Sequence, residues 1–98
     1  MARLIWSPQA IDDLDAICEY VARNSEAAAR ELARQITALA ESIPAQPLLG
    51  PAVAEYGRDE IRERLCHSYR LIYRLRAGEV EVATIHHGAR RLPRKLPG

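Results

Sequence analysis

The chain has 98 residues, a 48% apolar and a 28% charged fraction, and a net charge of +1. That length holds one domain, expected over residues 1–98, and the apolar fraction excludes intrinsic disorder. No apolar run approaches the roughly 20 residues that span a bilayer and no charged leader precedes an apolar stretch, so the expected location is cytoplasmic.

Residues 2–6 read as a short strand carrying the β-prone Ile5 and Trp6. Ser7-Pro8 then marks a helix start, with Ser at the N-cap and Pro at the first helical position. Asp12, Asp13 and Asp15 lie in the N-terminal half of that helix, where the dipole favours acids. Ile11, Leu14, Cys18 and Val21 recur at helical spacing and form its apolar stripe. Asn24 closes the helix and Ser25 caps a second one, whose stripe is Leu32, Ile36, Leu39, Ala40 and Ile43 and which Pro44 stops. With almost no loop between them, the two helices should form an antiparallel hairpin.

Residues 44–59 contain three Pro and two Gly and form a loop, in which the 47–51 stretch is apolar enough to pack on the domain. Three strands are expected at 61–65, 69–76 and 79–87, followed by a frayed tail whose last residues, 93–98, are flexible. The order is β-α-α-β-β-β, an α+β fold with a helical hairpin packed on one face of a mostly antiparallel sheet. Cys18 and Cys66 have neither metal nor redox spacing and read as reduced thiols.

Charge is unevenly distributed. Residues 1–60 carry −5 and residues 61–98 carry +6, and thirteen of the fourteen cations are Arg. Arg suits bidentate recognition of phosphate or carboxylate. A coding preference for Arg over Lys accounts for the excess equally well.

Strand alternation puts Tyr69, Leu71, Tyr73 and Leu75 under the helices and Arg70, Ile72 and Arg74 on an open face. A tight turn at Ala77-Gly78 sets Arg76 opposite Glu79 and Arg74 opposite Glu81, which makes both arginines structural. The same register sets Arg70 opposite Ile85, without an acid, His86 on the core side opposite Tyr69, and His87 on the open face. For the preceding hairpin, a three-residue loop at Cys66–Ser68 turns Ile61 and Leu65 inward and Arg62 and Arg64 outward. A two-residue turn would reverse every side chain. Gly88 is expected to supply a sharp bend after the last strand. The open face then gathers Arg62, Arg64, Arg70 and His87, with Arg90 and Arg91 just beyond.

There is no Gly-rich phosphate loop, zinc spacing or H-E-x-x-H, so neither metal nor cofactor is expected. Two chemistries remain. An Arg-rich site with a His can bind RNA phosphate and support 2′-hydroxyl attack. Alternatively, the Arg surface binds an acidic protein partner.

Four stretches carry a resemblance. They are W-S-P-x-A-x-x-D-L from Trp6 to Leu14, L-L-G-P from Leu48 to Pro51, S-Y-R-L-I-Y-R-L from Ser68 to Leu75, and I-H-H-G-A-R-R from Ile85 to Arg91. In this order they resemble the ParE/RelE superfamily of bacterial type II toxin–antitoxin toxins, over residues 3 to 92. The resemblance implies two alternatives: a ParE-like inhibitor of DNA gyrase, or a RelE-like endoribonuclease that cuts messenger RNA on the ribosome. In RelE-type toxins an Arg in the Y-R-L strand and another after the last strand's Gly contribute to catalysis, which implies Arg70 and Arg90 here. RelE also uses lysines in the preceding strand and a C-terminal Tyr. This chain has only Lys95, and no Tyr follows Tyr73. The ParE-like alternative is therefore favoured, with no catalytic residue; in the ribonuclease alternative Arg70, His87 and Arg90 are the catalytic set. The resemblance further implies a cognate antitoxin, a ParD-like ribbon-helix-helix protein, with operator DNA contacted only through the complex. The expected target- or antitoxin-binding residues are Arg62, Arg64, Arg70, His87, Arg90, Arg91, Leu48 and Leu49.

Overall fold

The computed structural model describes residues 2–98. In chain order the elements are β1 (Arg3–Trp6), α1 (Pro8–Ala22), α2 (Glu26–Ser42), a 3-10 turn (Ile43–Ala45), β2 (Ile61–Cys66), β3 (Tyr69–Arg76) and β4 (Glu79–His87). This is the expected β-α-α-β-β-β order. The sheet runs β1-β4-β3-β2, with β1 parallel to β4 and the other pairs antiparallel.

The caps act as their residue types dictate. The Ala10 N–H donates to Ser7 Oγ and the Ala28 N–H to Ser25 Oγ, each satisfying an orphan donor at a helix start. Pro44 ends α2 by forcing the 3-10 turn. The α1 stripe differs from the expected one. Ala10, Leu14, Ile17 and Val21 face the core, while Ile11 is half exposed and Cys18 turns towards α2. Leu14 and Val21 are as expected, while Ala10 and Ile17 take the places periodicity assigned to Ile11 and Cys18.

The main core lies between the helical hairpin and the sheet. It joins Leu32, Ile36, Ala40 and Ile43 to Leu71, Tyr73, Val80, Val82 and Ile85. The far face of the sheet, expected to be open, is covered. Val53 from the 46–60 loop and Leu92 and Leu96 from the tail bury Ile61, Ile72 and Ala83 in a second cluster. The tail therefore packs rather than frays: Tyr56 Oη donates to the Pro93 carbonyl and Arg74 to the Leu96 carbonyl. Burial of Leu92 and Leu96 is the apolar gain that offsets the entropy of ordering it.

Two registers also differ. The β2–β3 connection is the two-residue turn His67-Ser68, pairing Cys66 with Tyr69 and Arg64 with Leu71. His67 takes a positive φ of 53°, a conformation that Gly or Asn usually supplies, which is why the turn left no signal. Arg62 and Arg64 consequently share the helix-side face, whereas Ile61, Glu63 and Leu65 lie on the far side. Leu65, expected inside, is 68% exposed. In the β3–β4 pair the expected register holds from Arg76↔Glu79 to Tyr73↔Val82. A bulge at Ala83 then shifts it, so that Arg70 faces His86 and Tyr69 faces His87. The two histidines thereby exchange the faces assigned to them from the sequence.

Among the described residues no helix is long and apolar enough to cross a membrane, and no group of His, Cys, Asp and Glu could hold a metal ion.

Candidate functional site

The bulge in β4 builds the most varied surface of the molecule. β1 ends opposite Val82, and beyond that point the start of α1 takes over as the partner of β4. The Ser7 N–H donates to the Val82 carbonyl and Ser7 Oγ to the Ala83 carbonyl. Asp13, further along α1, accepts from the Thr84 hydroxyl and from the Ile85 N–H at 3.0 Å. This carboxylate satisfies a fully buried Thr and a backbone donor that has lost its strand partner. Of the three aspartates assigned to the helix dipole, Asp13 thus has a specific tertiary role, and none lies in the first turn.

Past this junction α1 and the end of the sheet enclose a groove of about 510 Å³. Asp13, Ile17, Tyr20, Tyr69, His87 and Arg90 are among the residues that line it. Tyr69 meets the His87 ring edge-on, with centroids 5.7 Å apart. The Ala89 N–H donates to His87 Nδ1 at 3.2 Å, which leaves Nε2 to carry the proton of the neutral ring. The Arg90 N–H closes the turn on the His87 carbonyl. Gly88 does not have a positive φ; its N–H donates to the Ser68 carbonyl, and an added Cβ would come within 3.3 Å of that oxygen. Close approach to the neighbouring turn, rather than a special bend, is what the glycine provides.

Arg70 lies on the opposite face and is not free. Its guanidinium makes four hydrogen bonds of 2.7–3.0 Å, two to Glu63 and two to Glu55. The bulge removed Ile85 from its side, and the two-residue turn brought Glu63 to it. The bonds to Glu55 and Glu63 raise the Arg70 pKa further, and the bond from Arg70 lowers that of Glu55 to about 2. His86, directly across from Arg70, is partly buried, and its Nδ1 has no hydrogen-bond partner among the described residues. Desolvation holds its pKa below the ordinary value; Arg90 and Arg70 act in the same sense and Asp13 opposes them.

Of the remaining expected residues, Arg62, Arg64, Leu48 and Leu49 gather at the β2 edge. Arg62 donates to the Gly50 and Asp59 carbonyls and so pins the loop. Gly50 is held so close to β2 that a Cβ would fall 2.2 Å from the Glu63 carbonyl oxygen. Arg64 lines a shallow hollow with Leu49, Pro51 and Leu65. Leu48 and Leu49 project into solvent at 65% and 60% exposure, although the backbone around them packs. Arg91 is exposed and has no ion pair among the described residues. Arg74 pairs with Glu81 as expected. Arg76 also leans on Glu81, because Arg3 takes Glu79. Burial pushes the Cys66 thiol up, which keeps it protonated and unsuited to attack.

The single basic face expected from the sequence is therefore three places: a groove with His87 and Arg90, a carboxylate-clamped Arg70, and an apolar edge beside Arg64. Tyr20, Tyr69 and Asp13 were missed as groove residues, and Leu65 as an edge residue. Only Tyr20 left a usable signal, an aromatic outside the α1 stripe.

Comparison with known proteins agrees with this architecture. Residues 4–92 match the sequence model of a family described as the ParE toxin of the type II toxin-antitoxin system, parDE. Toxin RelE2 of Caulobacter vibrioides is 29% identical over 90 residues, covering 92% of this chain and 99% of the relative. A chain of the chromosomal ParDE toxin–antitoxin system of P. aeruginosa superposes with a TM-score of 0.74 at 21% identity, over 89% of this chain and 96% of that one. A chain of the Staphylococcus aureus YoeB dimer gives 0.58 at 23% identity, over 85% and 92%.

Proposed function

This chain belongs to the ParE toxin family of type II toxin-antitoxin systems, and on that premise we propose that it arrests growth through DNA gyrase and is neutralised by a cognate antitoxin. The observation that carries the non-nucleolytic reading is the Arg70 clamp. This is the strand arginine that a RelE-type ribonuclease would turn on RNA phosphate, and here both carboxylates of Glu55 and Glu63 occupy it. A guanidinium already neutralised by two acids has little left to offer a developing phosphorane charge. The missing lysines and C-terminal Tyr point the same way. Purified toxin should block gyrase supercoiling and leave ribosome-bound message intact; supercoiling that proceeds at excess toxin would overturn the reading.

The antitoxin is a ParD-like protein in this proposal. Leu48, Leu49 and Leu65, all exposed around the β2 edge, are the apolar anchors for its C-terminal segment, with Arg62, Arg64 and Arg91 supplying charge. Leu49→Asp combined with Leu65→Asp should weaken co-purification with the cognate antitoxin; full recovery of the complex would remove this docking site.

A ribonuclease reading rests on the groove, where His87 and Arg90 stand together and could act as general base and charge stabiliser. It gains weight if translated messages are cut and His87→Ala abolishes the cutting. A toxin that forms its complex but no longer arrests growth would fit neither activity and would leave antitoxin binding as the remaining role.

A further inference from the structure

The end of the sheet furthest from His87 carries a second, unassigned cleft of about 630 Å³, bounded by the 46–60 loop, β3 and the tail. Arg58, Arg74, Arg76, Arg94 and Lys95 line it. The carboxylates that answer them are Glu60, paired with Arg58, and Glu81, shared by Arg74 and Arg76. Five cations against two acids leave a positive surplus. Arg94 and Lys95, both exposed, take part in no ion pair among the described residues.

The basic pair is not on a loose end. It sits between Leu92 and Leu96, buried at 8% and 5% exposure in the second cluster, and each is followed by a proline. Tyr56 Oη holds the Pro93 carbonyl at 2.7 Å and Arg74 holds the Leu96 carbonyl at 3.2 Å. The chain is thus pinned on both sides of Arg94-Lys95, and the two cations are held at the cleft rather than left to wander. Such preorganisation lowers the entropic cost of binding.

We propose that this cleft is a binding site for the phosphodiester backbone of a nucleic acid. Phosphate contacts alone suffice for nucleic-acid binding. A protein partner needs buried aromatic or aliphatic anchors, and the large exposed apolar side chains (Ile11, Tyr20, Leu48, Leu49 and Leu65) all lie outside this cleft. The fork of Arg94, which no carboxylate occupies among the described residues, matches phosphate oxygens bidentately, and Lys95 adds a point charge beside it. The site shares no lining residue with the His87 groove, so binding there does not depend on which target the toxin acts on.

The test is fluorescence anisotropy of a short labelled DNA duplex titrated with the full chain across a range of salt concentrations. The wild type should bind with a steep salt dependence. Arg94→Glu with Lys95→Glu should lower the affinity by about tenfold or more and reduce the log–log salt slope by roughly 2, one phosphate contact for each cation lost. Arg94→Gln with Lys95→Gln, which leaves Leu92 and Leu96 in place, should move both readouts in the same direction. Arg30→Glu with Arg34→Glu on the exposed face of α2 changes net charge equally and should have the smaller effect. An equal loss in that control would make the binding a property of net charge and overturn the site. Absence of salt-dependent binding by the wild type would also overturn it, as would an oligoglutamate peptide that binds the cleft in preference to DNA.

Discussion

Arg70 shows how a single residue can change meaning on folding. With Glu63 only 15% exposed beside it, removing the guanidinium strands a largely desolvated carboxylate. Arg70→Ala should therefore lower stability by roughly 2 kcal/mol, read as a shifted urea midpoint at unchanged slope. Glu55 is half exposed and screened by water, so Glu55→Gln should cost less than about 1 kcal/mol; an equal cost for the two variants would contradict this ranking. Both glutamate and histidine set an acid limit. Because folding lowers the Glu55 pKa from 4.5 to about 2, its contribution is complete above pH 4.5 and is lost as pH falls towards 2. Folding also lowers the His86 pKa from 6.5, so the unfolded chain takes up this proton first, and stability declines as pH drops below 6.5. His86→Phe should flatten the stability profile in that upper window and leave the lower one; an unchanged profile would remove His86 as its source.

At the scale of elements, the junction of β1, α1 and β4 depends on Ser7 and Asp13. Asp13→Ala takes the acceptor from the buried Thr84 hydroxyl and the Ile85 N–H and should cost about 2 kcal/mol, whereas the exposed Asp12→Ala should stay within about 0.5 kcal/mol. Equal midpoints in thermal unfolding would show that the bulge does not need this carboxylate. Leu96→Ala should cost about 2 kcal/mol, as for a core residue, and a negligible loss would return the tail to the frayed state. These elements were unequally legible. Helix limits could be read from Ser7, Pro8, Ser25 and Pro44, because caps and prolines act locally. Strand limits could be read from the alternation around Tyr69 and Tyr73. Facing could not: the Ala83 bulge and the Gly-free turn at His67 depend on contacts made from distant segments, the first with Ser7 and Asp13, the second with Gln35 of α2 and the Gly88 N–H. Because one register step reverses a strand, these two unsignalled features displaced the candidate site. His87 and Arg90 stayed together because the bulge moved both, while Arg70 acquired acids that lie 7 and 15 residues away in sequence.

Across the whole molecule, the sheet is sandwiched unevenly. β3 and β4 are buried from both sides, with Leu71, Tyr73 and Val82 in one cluster and Ile72 and Ala83 in the other. β2 is covered only in part. Val53 donates to the Ile61 carbonyl and Glu63 donates to the Pro51 carbonyl, so the loop completes the outer edge as far as Glu63. In an antiparallel pair the outward-pointing groups recur every second residue, which makes the Leu65 N–H the next one; among the described residues no loop bond reaches it. An uncovered strand edge beside exposed apolar side chains is where another chain can add. Native-state hydrogen exchange gives this a readout. Amides in the middle of β3 and β4 should open only with global unfolding, whereas Leu65 should exchange at nearly the unprotected rate, a difference set by local opening rather than total stability. Addition of the antitoxin should slow Leu65 in particular if the β2 edge is its landing place. Strong protection of Leu65 in the free chain would mean the edge is already closed, and protection confined to the His87 groove would move the docking surface to the other side of the molecule.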